Sequence, residues 1–308
     1  MNLMDGRRVA DEILGELEHR VAGLVECGIT PTLGILLIGD DPRSAAYVRR
    51  KQRAAERIGV VVRLVTTNET NLPSPLFSKE GDQTQIQPSV EAIEEQIDDW
   101  NSDDTLHGMI IQLPLPTDMT THELALIERV DPAKDVDGLH PVNFGRLLRG
   151  YSAITPATPR GVMTLLAAYH VQLTGARVTL IGFGKLVGRA LATLLVNAGA
   201  TLTIATKRTR DLAAATRDAE VVISAAGSPH LVSVDMISSD SVLVDVGLSE
   251  EDELLVGDIA DEAKQKARLA TPVPGGVGPM TVAMLLTNVV EAAERFANSK
   301  KLEVKSEK

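Results

Sequence analysis

Among 308 residues the chain has a single cysteine, Cys27, which excludes an intramolecular disulfide and any cysteine-based zinc cluster. No run of about 18 apolar residues occurs, so no membrane-spanning helix is expected. Met1 to Leu14 lacks the unbroken apolar core of a secretory signal and carries charges at Asp5, Arg7, Arg8 and Asp11 instead. Basic side chains are the minority: 31 Lys plus Arg stand against 42 Asp plus Glu, a formal net charge of -11. That balance argues against a general nucleic-acid or anionic-membrane binder, because phosphate binding needs a basic face, but it leaves room for a local basic pocket. A soluble, cytosolic protein without nucleic-acid or membrane partners is the expectation.

What is present is a hydrophobic content of 44% with 24% charged residues, the composition of a globular protein long enough for two domains with separate cores. The stretch from Arg177 to Arg210 has the outline of a dinucleotide site: an apolar strand (Val178 to Ile181), a glycine turn, a helix expected over Lys185 to Asn197, and a second strand (Thr201 to Thr206). Gly182 and Gly184 stand where a strand must turn sharply and let a pyrophosphate approach backbone N–H groups at a helix N-terminus. Gly188 falls one residue later than the usual Gly-x-Gly-x-x-Gly spacing, so a plain tight turn stays open as an alternative. No acid follows the second strand to hold a ribose hydroxyl. Lys207, Arg208 and Arg210 stand there instead, suiting the 2′-phosphate of NADP, with a solvated basic turn as the other reading.

Upstream, Val9, Ile13, Leu17, Val21 and Leu24 recur every three or four residues and predict an amphipathic helix over Gly6 to Cys27. Thr32 to Ile38 reads as a buried strand, Ser44 to Ile58 as a helix and Val60 to Thr66 as a second strand, an alternation that implies a parallel sheet. On the helix, Tyr47 and Lys51 lie four apart and so share a face, although a lysine among Arg49, Arg50, Arg53 and Arg57 also reads as a solvated charge. Asn68 to Ser89, rich in polar residues and proline, breaks the pattern and is expected to be a flexible surface insertion. A helix over Val90 to Asn101 precedes a third strand, His107 to Leu115, whose terminal Gln112-Leu113-Pro114-Leu115-Pro116 would aim the Gln112 amide beyond the carboxyl edge of the sheet.

A short helix is expected over Thr121 to Arg129. The turn after it carries Asp131, Asp135 and Asp137; it has no convincing metal partner, but a carboxylate placed in a pocket there could accept hydrogen bonds from an amino-substituted heterocycle. Pro156 to His170 reads as a bridging helix with Thr158 as N-cap and Pro159 at the first helical position. Glu220 to Ala225 and Ser241 to Val246 are further strands, ending near Gly227 and Gly247. Thr271 to Thr281 packs three prolines and three glycines into eleven residues, predicting a rigid loop ahead of a helix over Val282 to Phe296 and a charged, fraying tail.

Taken in order, Tyr47-Val48-Arg49-Arg50-Lys51, Gln112-Leu113-Pro114-Leu115-Pro116, Lys134-Asp135-Val136-Asp137-Gly138 and Pro272-Val273-Pro274-Gly275-Gly276-Val277-Gly278-Pro279-Met280-Thr281 closely resemble the bifunctional methylenetetrahydrofolate dehydrogenase/methenyltetrahydrofolate cyclohydrolase family. The resemblance spans nearly the whole chain, apart from Asn68 to Ser89 and the last ten or so residues. It implies an α/β protein of two domains, a three-layer α/β catalytic domain (1–150 and 280–308) and an inserted Rossmann-type NADP-binding domain with a mostly parallel sheet (151–279), assembled as a homodimer through the nucleotide domains. It implies that Lys51 is the catalytic lysine, hydrogen-bonded by Gln112, that Tyr47 stacks on or bonds the folate, and that Asp137 binds the pterin. Ile111, Leu113 and the loop Pro274, Gly275, Gly276, Val277 and Gly278 would touch tetrahydrofolate one-carbon derivatives. Gly182, Phe183, Gly184, Lys207 and Leu248 would contact NADP. The chain departs from the family pattern at Gly184, where serine is usual, at Ala190, where proline is usual, and at Thr206 and Lys207.

Overall fold

The structure is a computed structural model and describes residues 3–67, 83–251 and 254–306. The chain forms two compact units, one comprising Ile13–Gly145 with Leu285–Lys308, the other Met1–Glu12 with Arg146–Met284. Among the described residues no helix is long and apolar enough to cross a membrane.

The first unit is built on strands β1 (Thr32–Leu37), β2 (Val61–Thr66), β3 (Gln83–Gln85) and β4 (Gly108–Ile111), in the order β3-β2-β1-β4 and all parallel. Its helices are α1 (Gly6–Glu26) from Ile13 onward, α2 (Pro42–Arg57), α3 (Val90–Ser102), α4 (Glu123–Arg129), the first part of α5 (Pro141–Leu148) and, from Leu285 onward, the last helix of the chain. Every residue of β1 is buried, as expected of a central strand covered on both faces, where an unbroken apolar run replaces alternation. The core joins Leu36, Val65 and Ile111 from the strands to Ile93, Ile97 and Trp100 of α3 and Leu126 of α4. Trp100 lies so close over Gly34 that a methyl group there would come within 2.7 Å of its ring, which is why β1 needs a glycine at that point.

Two expectations change here. Gln83–Gln85, placed by composition within a flexible insertion, pairs with Leu64–Thr66 as an edge strand, and Ser89 caps α3 by accepting from the Ala92 amide at 3.2 Å. Backbone pairing is indifferent to side-chain polarity, so a three-residue polar edge strand leaves no apolar signature. Asn68 to Asp82 of that insertion lie outside the described residues. The strand expected over His107 to Leu115 stops at Ile111, and Gln112 stands free of it at its carboxyl end.

The second unit has a five-stranded parallel sheet of β5 (Arg177–Ile181), β6 (Thr201–Ala205), β7 (Val221–Ser224), β8 (Val242–Asp245) and the last strand, Leu269–Ala270; β9 (Ser249–Glu251) and β10 (Leu254–Val256) form a separate antiparallel hairpin. With Leu269–Ala270 as β11, the order is β11-β8-β7-β5-β6, a doubly wound sheet whose direction of winding reverses between β5 and β7. Helix α6 (Ala157–Ala168) leads into β5, and crossovers within the sheet run through α7 (Gly188–Asn197), α8 (Leu212–Arg217) and α9 (Asp261–Lys266). Met1–Glu12 group with this unit: the Met4 amide donates to the Ala270 carbonyl at 2.8 Å, and the Gly6 and Arg7 amides donate to the Gly275 carbonyl at 3.0 and 3.1 Å.

Several helix starts differ from expectation, among them α2 at Pro42 in place of Ser44 and α4 at Glu123 in place of Thr121. α6 begins at Ala157 with Pro156 as its cap residue, and the Thr158 hydroxyl, expected to cap the helix, lies 3.0 Å from the Thr281 hydroxyl instead. α7 begins at Gly188, three residues later than expected, because Lys185 to Val187 form a turn. The last helix, α10 (Val277–Ser306), begins five residues earlier than expected: Gly278 and Pro279 fall in its first turn, where proline's missing N–H costs nothing. Val277 and Gly278 are therefore helical, and the non-helical loop ends at Gly276.

Candidate active site and dinucleotide turn

In the first unit, Asp41 opens α2 by accepting from the Ser44 amide and hydroxyl, each at 2.8 Å. The helix buries Ser44, Val48, Lys51, Gln52 and Ala55, a stripe of three- and four-residue steps. Lys51 belongs to that stripe and is only 8% exposed, so it is not a surface charge. Its Nζ donates to Gln112 Oε1 at 2.9 Å, while Gln112 Nε2 donates to the Leu113 carbonyl at 2.7 Å and the Gln112 amide to Leu36 at 2.8 Å. The glutamine is thus held at both ends, with its carbonyl oxygen turned toward the amine. Tyr47, one turn earlier, stays 38% exposed with the Arg50 guanidinium 5.6 Å from its ring centre.

Asp137 completes the group. Burial lowers the Lys51 pKa from its ordinary value, while the negative charge of Asp137 works against that shift; burial likewise raises the Asp137 pKa, opposed by Lys51 and assisted by Asp135. Desolvation dominates at both, pushing amine and carboxyl toward their neutral forms. Neighbouring contacts fix the turn. Asp135 is buried and accepts from the His140 amide at 2.8 Å and Asn143 Nδ2 at 3.0 Å, and Asn288 Nδ2 donates to the Val136 carbonyl at 2.8 Å. Asp135 therefore holds the loop, and among the described residues no cluster of three His, Cys, Asp or Glu side chains has the makings of a metal site. Ile111 is buried and Leu113 half-buried on either side of Gln112. Sequence spacing missed Asn143 and Asn288: Asn143 holds the Asp135 carboxylate and the Pro132 carbonyl, and Asn288 reaches a backbone carbonyl 152 residues away, so neither falls in a motif.

In the second unit, Gly182, Phe183 and Gly184 follow β5, Lys207 follows β6 and Leu248 follows β8, so all five lie at the carboxyl edge of one sheet, beside the reversal between β5 and β7. Gly182 has φ +98°, and a Cβ there would meet the Ala225 carbonyl oxygen at 2.3 Å. At Gly188 a Cβ would stand 2.3 Å from the Gly182 oxygen, so the late third glycine performs the close helix–strand approach despite its spacing. Such a backbone cradle fits a pyrophosphate. Phe183 and Leu248 are partly exposed, with the Arg189 guanidinium 4.8 Å from the Phe183 ring centre. Lys207, Arg208 and Arg210 are exposed on a turn closed by the Thr206 amide donating to Thr209 Oγ1 at 2.8 Å. A cationic turn beyond the second strand fits a ribose phosphate. Pro274, Gly275 and Gly276 form the loop ahead of α10, with Gly275 at φ +115°.

Comparison with known proteins agrees with both halves. Residues 4–137 match the catalytic domain of tetrahydrofolate dehydrogenase/cyclohydrolase, and residues 156–297 match its NAD(P)-binding domain. The chain is similar to the bifunctional enzyme FolD, methylenetetrahydrofolate dehydrogenase/cyclohydrolase, of Campylobacter jejuni, with 37% identity, a TM-score of 0.86, and coverage of 96% of this chain and 99% of that one. It is similar to the Trypanosoma brucei methylenetetrahydrofolate dehydrogenase-cyclohydrolase solved with NADP and an inhibitor, at 35% identity and TM-score 0.83 over 94% of this chain and 96% of that one. A methylenetetrahydrofolate dehydrogenase of the silkworm Bombyx mori aligns at 34% identity and TM-score 0.83, over 97% and 99% of the two chains. The chain belongs to the tetrahydrofolate dehydrogenase/cyclohydrolase family.

Proposed function

We propose that the protein oxidises 5,10-methylenetetrahydrofolate to 5,10-methenyltetrahydrofolate with NADP and then hydrolyses the product to 10-formyltetrahydrofolate. The observation that carries this is the buried Lys51 amine, held by Gln112 and sharing its surroundings with Asp137. NADP, when bound, supplies the hydride acceptor for the first reaction. Gly182, Phe183, Gly184, Lys207 and Leu248 would hold it, with Lys207 and Arg208 favouring the 2′-phosphate. Hydride transfer asks of the protein orientation and exclusion of water, not a proton carrier.

Hydrolysis asks for more. Water adds to the methenyl carbon, and the proton it sheds needs a base; the carbon–nitrogen bond at N5 then breaks, and N5 takes up a proton. An ordinary lysine, with a pKa of roughly 10.4, is a poor base near neutral pH. Burial at Lys51 pushes the amine in the required direction, and Gln112 Oε1 accepts one N–H so that the lone pair has a fixed bearing. Asp137 would accept from the pterin amino group, and Tyr47 would lie against the folate ring. The test is an absorbance assay with methylenetetrahydrofolate and either NADP or NAD, followed by decay of the methenyl chromophore. Appearance of reduced cofactor and then loss of methenyl absorbance is expected; no reduction with either cofactor overturns the proposal.

We also propose a cytosolic homodimer joined through the nucleotide-binding units. In support, β6 is the edge strand of its sheet, with Ile204 41% exposed and Val196 of the adjoining helix 56% exposed. An edge strand that carries apolar side chains invites a second copy.

A further inference from the structure

Beyond the residues expected to touch the dinucleotide, one buried carboxylate binds together the backbone around them. Asp258, which follows β10, has no exposed surface. Its Oδ2 accepts from Ser224 Oγ and the Ala226 amide, each at 2.8 Å, and from the Gly227 amide at 3.2 Å, while Oδ1 accepts from the Ser228 amide at 2.8 Å. Three successive N–H groups of the loop after β7 thus converge on one side chain, the arrangement of an anion nest filled by the protein's own anion. The same carboxylate excludes any side chain at residue 247: a Cβ on Gly247 would stand 2.0 Å from Oδ1. Asp258 therefore braces the chain just beyond β7 and just beyond β8, one residue before Leu248.

The brace reaches the glycine turn as well. The carbonyl of Ala225, next to the braced amides, closes against Gly182 so tightly that a Cβ there would lie 2.3 Å from its oxygen. Asp258 is itself fixed from behind. Its amide donates to Asp245 Oδ1 at 2.9 Å, and Asp245 Oδ2 accepts from the Ile259 amide at 3.1 Å and pairs with Lys264 Nζ at 2.9 Å.

We propose that Asp258 is a positioning residue for the dinucleotide, setting the loops after β7 and β8 at the spacing that the glycine turn after β5 requires. The inference rests on the reading of this sheet edge as the NADP site. Asparagine cannot replace the carboxylate, because its NH2 would face amide donors that need an acceptor. Asp258→Asn should raise the KM for NADP and the Kd for NADPH, measured by fluorescence titration, about tenfold. Its kcat and its cyclohydrolase rate should stay within about twofold of the parent, since hydrolysis uses no dinucleotide. Unchanged NADPH affinity overturns the proposal, as does a parallel loss of both activities, which marks a purely structural role. If Asp258→Asn yields no soluble protein, Ser224→Ala decides. It removes one of four donors and should weaken NADPH binding a few-fold with cyclohydrolase activity intact; parent-like binding overturns the proposal. A parent that binds NADPH but fails to oxidise methylenetetrahydrofolate defeats the proposed reaction and leaves the brace measurable, whereas a parent that binds no NADPH defeats the brace.

Discussion

Lys51 sits among the buried side chains of its helix, yet it is chemically the least suited to burial. Replacing it with methionine keeps the stem and deletes the amine. Lys51→Met should lower cyclohydrolase activity by about 10²- to 10⁴-fold, the usual contribution of positioned acid–base catalysis, while methylenetetrahydrofolate still binds and methenyltetrahydrofolate accumulates. Hydrolysis of methenyltetrahydrofolate at the parental rate, followed by its absorbance, contradicts the role. A second residue contributes to acid sensitivity. Burial alone would raise the Asp103 carboxyl, but the Thr105 hydroxyl and amide, with the Arg63 guanidinium, outweigh it and hold the pKa at about 2. A carboxyl depressed in the folded state stabilises it above the unfolded pKa, and that stability disappears as pH falls through the folded value. The first unit should therefore lose stability between about pH 4 and 2, and Asp103→Asn should flatten the loss in an acid titration followed by circular dichroism. Neither role was fully legible in the sequence. The four arginines around Lys51 suggested a solvated face, whereas the stripe Ser44, Val48 and Ala55 that carries it inward shows only weak apolar contrast.

The glycine turn and the basic turn after β6 work as elements, not as single side chains. Changing Lys207 and Arg208 to alanine should raise the KM for NADP and leave that for NAD unmoved. A charge-assisted bond to phosphate contributes about 1.5 to 3 kcal/mol, and the solvent around this exposed turn places the effect toward the lower end. Equal use of NAD and NADP by the parent protein contradicts the assignment. In the first unit, α3 is anchored by Trp100, and Trp100→Ala should cost about 3 to 5 kcal/mol in chemical denaturation. Long elements with clear periodicity, such as α1 and α3, were read from sequence nearly to the residue. Short ones were not: β3, α5, the β9–β10 hairpin and α9 are too brief to show a period, and each depends on partners distant in the chain. The start of α10 was misread for a different reason, since Pro279 looks like a helix breaker unless its place in the first turn is known.

For the whole molecule, the dimer proposed through β6 is tested by placing a charge on that edge. Ile204→Glu should shift the protein from dimeric to monomeric mass in light scattering; a parent that is already monomeric contradicts the proposal. The order in which the chain is laid down has a further consequence. The first unit is assembled from Ile13–Gly145 and Leu285–Lys308, so about 140 residues of the other unit must be synthesised before its last segment exists. That segment supplies Asn288 to the Val136 carbonyl, Glu294 to Arg20 at 2.7 Å and Phe296 edge-on to the buried His107. At ribosomal speeds of roughly 5 to 20 residues per second, the Lys51 sheet waits some 7 to 28 seconds, its α10 face uncovered, while the second unit has every residue it needs first. A newborn chain should thus meet chaperones chiefly through its folate half, and the dinucleotide half should resist protease first as the chain leaves the ribosome.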